Sequence, residues 1–122
     1  MEKEQRPHKN LEVWKNSMEL TKKIYQITSS FPSTEMYGLV SQMRRSAVSI
    51  PSNISEGAAR TGKKEFLQFI NIAQGSASEL DTQIELAKEL QFINQQNYEE
   101  IQSLLTLISK QLYGLARKVK DK

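Results

Sequence analysis

Apolar residues recur along this chain at three- and four-residue steps, the period of an α-helix with one face against a core. The first periodic run spans about Leu11 to Ser30, with Asn10 placed to cap its start and Pro32 soon after its end. It carries two stripes. Leu11, Trp14, Met18 and Tyr25 form one; Val13, Leu20, Ile24, Ile27 and Phe31 form the other, about 130° around the helix. A single bundle core needs an arc of only about 100°. Two stripes therefore predict one partner inside the subunit and one outside it, with a wide arc covered inside a single bundle as the alternative.

The second run starts near Ser33 or Thr34, with Glu35 in the first turn, where the helix dipole favours an acid. Leu39, Met43, Ala47, Ile50, Ile54 and Ala58 hold helical phase straight across Pro51. A proline inside a helix removes a ladder bond and costs about 3 kcal/mol, so unbroken phase predicts one helix kinked at Pro51 and ending between Gly57 and Arg60. The third run opens at Thr61, a candidate N-cap, and reaches about Gln91 through Phe66, Phe69, Ile70, Ala73, Ala77, Leu80, Ile84 and Ala87. Ile72, Leu86, Leu90 and Ile93 fall on a different side of it. The fourth follows Asn94, with Tyr98, Ile101, Leu105, Ile108, Leu112, Leu115 and Val119 in phase. Short connections between such runs predict antiparallel neighbours. The expected fold is all-α: a flexible polar tail over 1–10, then one antiparallel up-down-up-down four-helix bundle over 11–120. The surplus stripes predict a homo-oligomer, with Val13, Leu20, Ile24, Ile72 and Leu86 at the subunit interface.

A polar seam runs beside the apolar stripe of the second helix: Gln42, Arg45, Ser46, Ser49, Asn53 and Glu56, at steps of three and four. Gly75, Ser76 and Glu79 answer it from the third. A mid-helix glycine costs about 1 kcal/mol relative to alanine, so Gly75 predicts close approach of a neighbouring helix. These residues read as a hydrogen-bonded interhelical seam that fixes register within or between subunits. The alternative makes Glu56 and Glu79 a carboxylate pair for acid/base or metal work, but bundle di-metal sites add Glu-x-x-His pairs, and this chain has none.

Composition narrows the chemistry further. The 122 residues include no cysteine and one histidine, His8, so disulfides, thiolate sites and most histidine chemistry fall away. No enzyme activity, metal or cofactor is expected. Five Gly and three Pro are too few for a chain of tight β-turns. No apolar run approaches the ~18 residues of a membrane span, and MEKEQRPHKN lacks the apolar region of a secretory signal; a cytoplasmic protein with no membrane partner is expected. Residues 57–64 spell G-x-x-x-x-G-K, but a helix precedes them and Lys64 stands where a P-loop needs Ser or Thr. No nucleoside triphosphatase is predicted. What remains is that Arg60, Lys63 and Lys64 open a helix, where free N–H groups and the dipole attract phosphate.

The net charge is +3, yet its distribution is uneven. Residues 1–64 carry 11 Lys/Arg against 6 Asp/Glu, residues 65–109 carry 1 against 7, and residues 110–122 carry 5 against 1. In the expected topology, residues 1–15, 56–66 and 115–122 share one end, which holds a net +5, while residues 28–36 and 88–100 share the other, at −3. Arg60, Lys63, Lys64, Arg117, Lys118 and Lys120 are the candidate contacts of the basic end to a phosphate backbone. A solvated face that serves only solubility is the alternative.

The same residues carry a family resemblance over about 11–93. The run Ser49-Ile50-Pro51-Ser52-Asn53-Ile54 with Glu56-Gly57, followed by Gly75-Ser76 and Glu79-Leu80, resembles the four helix bundle proteins named for intervening sequences of bacterial 23S rRNA genes. Leu11, Val13, Trp14, Pro32, Glu35, Leu39, Gln42, Arg44, Arg45, Phe66, Phe69 and Ala73 extend it. Those proteins are similar to the accessory variability determinant of diversity-generating retroelements. The resemblance implies a homopentameric barrel of four-helix protomers. It also implies, through the retroelement relative, a basic surface that binds RNA or DNA and a reverse transcriptase-like protein partner. Gln74 stands where that pattern leads one to expect a basic residue before Gly-Ser. The leading expectation is a non-enzymatic oligomer that binds RNA or another nucleic acid through its basic end. The alternative is a protein-binding scaffold or adaptor with no nucleic-acid role.

Overall fold

The computed structural model describes residues 6–121. Lys3 and Lys122 of the expected basic end, and the first half of the expected tail, lie outside the described residues. Four helices carry the fold: α1 (Glu12–Thr28), α2 (Ser41–Ala58), α3 (Lys63–Glu89) and α4 (Gln95–Lys120). No strand occurs among the described residues.

The core is built from one stripe of each helix. Leu20 and Ile24 of α1, Met43, Ile50 and Ile54 of α2, Ile70, Leu80 and Ile84 of α3, and Ile101, Ile108 and Leu112 of α4 are all fully buried. Each such side chain contributes about 1.5–3 kcal/mol by leaving water. Polar contacts then set the register. Thr21 reaches Ala47 and Arg44 reaches Thr28 between α1 and α2; Ser46 meets Glu79 and Ser49 meets Ser76 between α2 and α3. Gln74 with Ser109 and Gln102 with Asp81 join α3 to α4, and Asn16 with Gln111 and Lys23 with Glu100 close α4 onto α1. In each set, residue numbers fall on one helix as they rise on the other.

Three helix ends differ from expectation. Pro7–Asn10, placed in the polar tail, form a 3-10 turn whose His8 ring sits edge-on to Trp14 at 5.0 Å. Asn10 is spent in that turn, so Leu11, in extended backbone, occupies the N-cap position of α1 without a side-chain cap. Gly62 rather than Thr61 precedes α3. The approach to α2 passes through a 3-10 turn at Ser33–Glu35 and a π-helical turn at Met36–Val40, with non-helical backbone at Gly38. Asn94 caps α4 as expected, its side chain accepting from the Asn97 N–H at 2.8 Å.

Pro51 lies buried inside α2. Without an N–H it leaves the carbonyl of Ala47, four residues back, short of its ladder donor. The Thr21 hydroxyl of α1 has two carbonyls within donating distance, Ser17 O of its own helix at 2.8 Å and the freed Ala47 O at 3.1 Å, and shares its proton between them. A side chain of the neighbouring helix thus covers the gap that proline opens.

Candidate nucleic-acid interface

The end of α2, the start of α3 and the end of α4 meet at one place. Lys63, in the first turn of α3, donates from Nζ to the Lys120 carbonyl at 3.2 Å, which ties α3 to the last turn of α4. Arg6, Pro7, His8 and Lys9 share a hollow of about 590 Å³ with Ser55, Glu56 and Ala59, which brings the N-terminal turn to the same end. Among the described residues, 6–15, 56–66 and 115–121 hold nine Lys/Arg against four Asp/Glu, a net of +5. Arg60, Lys63, Lys64, Arg117, Lys118 and Lys120 are all exposed there.

Local chemistry differentiates these cations. Arg60 bonds Glu56 at 3.0 Å, stands 4.0 Å from Glu65 and lies over the Phe69 ring at 5.1 Å. Exposed pairs of this kind contribute under about 1 kcal/mol, so they hold the guanidinium in place without removing it from solvent. Arg117, Lys118 and Lys120 lie in the last turn of α4, where cations suit the negative end of the helix dipole. His8, in the N-terminal turn, is held below the usual histidine range by burial first, then by the charges of Lys9 and Arg6.

The polar seam is present between α2 and α3. Ser46 donates to Glu79 Oε1 at 2.9 Å, Ser49 and Ser76 share a hydrogen bond of 2.7 Å, and Asn53 reaches back to Ser49 O at 2.7 Å. The numbers of both facing pairs add to 125. Glu56 therefore faces position 69, ten residues from Glu79 and about 15 Å along the axis. The geometry does not bring the two carboxylates together. Gln42 and Arg45, at the seam's outer edge, are exposed and join none of these bonds. Gln83, buried one turn beyond Glu79, leaves its side-chain oxygen without a partner.

The close helix approach expected at Gly75 occurs at Gly57 instead. A Cβ on Gly57 would stand 2.9 Å from both Phe66 Cδ1 and Phe69 Cβ, whereas one on Gly75 meets nothing within 4 Å. The expected subunit contacts also divide. Val13, Leu20 and Ile24 are buried in the protomer's own core, because α2 and α4 pack on that stripe of α1. Of the other stripe, Leu11 and Trp14 pack partly buried against the core, while Met18 and Tyr25 are exposed. Ile72 and Leu86 are exposed at 48% and 46%. Among the described residues no group of three or more His, Cys, Asp or Glu side chains is placed to hold a metal ion. Among the same residues no helix is long and apolar enough to cross a membrane.

A family model of the 23S rRNA-intervening sequence protein matches residues 9–114, nearly the whole of this bundle. The chain belongs to that family. Solved structures similar to this chain include one from Bacteroides thetaiotaomicron, described as a protein of unknown function of the S23 ribosomal protein family. It is 26% identical, with a TM-score of 0.80, and the match covers 86% of this chain and 95% of that one. No curated protein matches. Sequence periodicity in this family member missed Tyr113, which stands 70% exposed on α4 between the apolar positions Leu112 and Leu115. Its only signal was an aromatic residue out of phase with the core stripe.

Proposed function

We propose that this member of the 23S rRNA-intervening sequence family is a non-enzymatic, cytoplasmic oligomer that binds RNA or another nucleic acid through the phosphates at its basic end. The observation that carries the reading is the concentration of charge: nine cations against four acids where the helix ends meet. Contacts of that kind take their affinity from released counterions and carry no base sequence. The contact order of the four helices supports an antiparallel up-down-up-down protomer. Exposed apolar residues on two sides, Met18, Tyr25 and Val48 on one and Ile72, Leu86 and Leu90 on the other, favour self-association. Two different faces make a heterologous contact, which gives a ring where its rotation closes; the family resemblance suggests a homopentamer.

Replacing Arg60, Lys63 and Lys64 together with Glu tests the reading. RNA affinity should fall by about 100-fold or more, with helicity and oligomeric mass retained. Unchanged affinity would contradict it. One feature favours the second reading, a protein-binding scaffold: Tyr37 is 97% exposed beside Met36, Arg44 and Arg45 in a hollow of about 460 Å³. A protein such as a reverse transcriptase, captured after nuclease treatment and lost on Tyr37→Ser, would support that reading instead.

A further inference from the structure

We propose that the groove between α3 and α4 is a binding site for unpaired nucleotides, with Tyr113 as the ring on which a base stacks. This rests on the nucleic-acid reading above and names its ligand class: a single strand rather than a duplex.

Tyr113 stands between two adjoining hollows, of about 310 and 450 Å³, and lines both. Its ring is 70% exposed and packs on no other aromatic ring among the described residues. An exposed phenol with open space beside it is a stacking platform, and stacking tolerates any base because every base has a π-face. The larger hollow is polar where a base edge would lie. Asn71 and Gln74 of α3 line it with amides, and Gln74 makes only one long bond, 3.3 Å to Ser109 O. Gly75 adds no side chain, which leaves that wall low.

Cations flank the ring on both sides. Lys110 borders the smaller hollow, which Asp81 also lines; Arg117 and Lys120 border the larger, which holds no acidic side chain. None of the three joins an ion pair among the described residues. From Lys110 to Lys120 is ten residues of helix, about 15 Å. A strand laid along α4 would meet a cation, an aromatic ring and two further cations, then run out onto the basic end at Lys63. An unpaired base has a face free to lie on this ring, whereas the bases of a duplex are already stacked on one another.

The test is fluorescence anisotropy with two probes, a fluorescein-labelled 12-nucleotide oligouridylate and a 12-base-pair RNA duplex. Wild type should bind the single strand more tightly. Tyr113→Ala should weaken single-strand binding about 10-fold or more, while Tyr113→Phe and Tyr113→Trp stay within about 3-fold, because the ring and not the hydroxyl carries the contact. Duplex affinity should not change in any of them. A Tyr113→Ala protein that binds the oligouridylate like wild type would overturn the proposal, as would Tyr113→Phe losing as much as Tyr113→Ala. As a check independent of any variant, a 5-iodouridine strand irradiated on the wild-type protein should cross-link to Tyr113; cross-links confined to other helices would also overturn it. If both probes bind and only the Arg60, Lys63 and Lys64 changes matter, the groove fails and the basic end stands. If neither probe binds, both fail.

Discussion

The Thr21 hydroxyl occupies an unusual place, at the point where Pro51 interrupts its own helix. Ala47 is fully buried, so its carbonyl has no water to replace the missing N–H. Thr21→Val keeps the shape and removes the donor, which should cost about 1–2 kcal/mol in urea denaturation. In a Pro51→Ala background the ladder bond is restored, and the same change should cost markedly less. Equal costs in both backgrounds would separate the two residues. The two helical glycines form a second contrast. Gly57→Ala should destabilise by about 1–3 kcal/mol, since its Cβ would press on Phe66 and on the inflexible Cβ of Phe69. Gly75→Ala meets open space and should stabilise by up to about 1 kcal/mol. Denaturation midpoints of the two variants, moving in opposite directions, check this. Sequence spacing places a glycine on a helix face but does not say which neighbour crosses there, so Gly75 took the role that Gly57 holds.

At the scale of the helices, phase was legible and orientation was not. Periodicity found both stripes of α1, because a hydrophobic pattern depends only on the helix's own residues. Which stripe faces inward depends on where α2 and α4 sit. Val13, Leu20 and Ile24, purely aliphatic, are the buried set, while Trp14, Met18 and Tyr25 are half-buried or exposed; amphipathic rings and a thioether tolerate that edge. The seam was legible for the opposite reason: Ser46, Ser49 and Asn53 sit at steps of three and four on α2, and Ser76 and Glu79 repeat the three-residue step on α3. Between α1 and α4 an ion pair joins the Asn16–Gln111 hydrogen bond. Lys23 pairs with Glu100, and the hydrogen bond and charge of that ammonium hold the Glu100 carboxyl below the ordinary 4.5. A depressed carboxylate favours the folded state above its ordinary value, and that contribution is lost as pH falls through the depressed one. A carboxyl-carbon NMR titration should place Glu100 below 4.5 in wild type and return it toward 4.5 in Lys23→Gln. No change on substitution would remove Lys23 as the cause.

The molecule as a whole is electrically polar and incompletely covered. Charge segregation was readable from residue counts alone, since short connections leave little choice about which segments share an end. The groove at Tyr113 was not readable, because it exists only where α3 and α4 face each other. Ile72 and Leu86 remain in solvent in a single protomer of 14.0 kDa. Light scattering should give a multiple of that mass, about 70 kDa for a five-membered closed ring. Ile72→Ser with Leu86→Ser should lower the mass while leaving the helical signal intact, because neither side chain belongs to the core.

Phosphate binding by the basic end is the claim on which the functional account stands. Its most direct test is the affinity of wild-type protein for a labelled RNA strand across a salt series. Binding through about four or more phosphates should give a log–log slope of about −3 or steeper, since single strands release counterions at about 0.7 per contact. An affinity that stays level as salt rises would contradict the account.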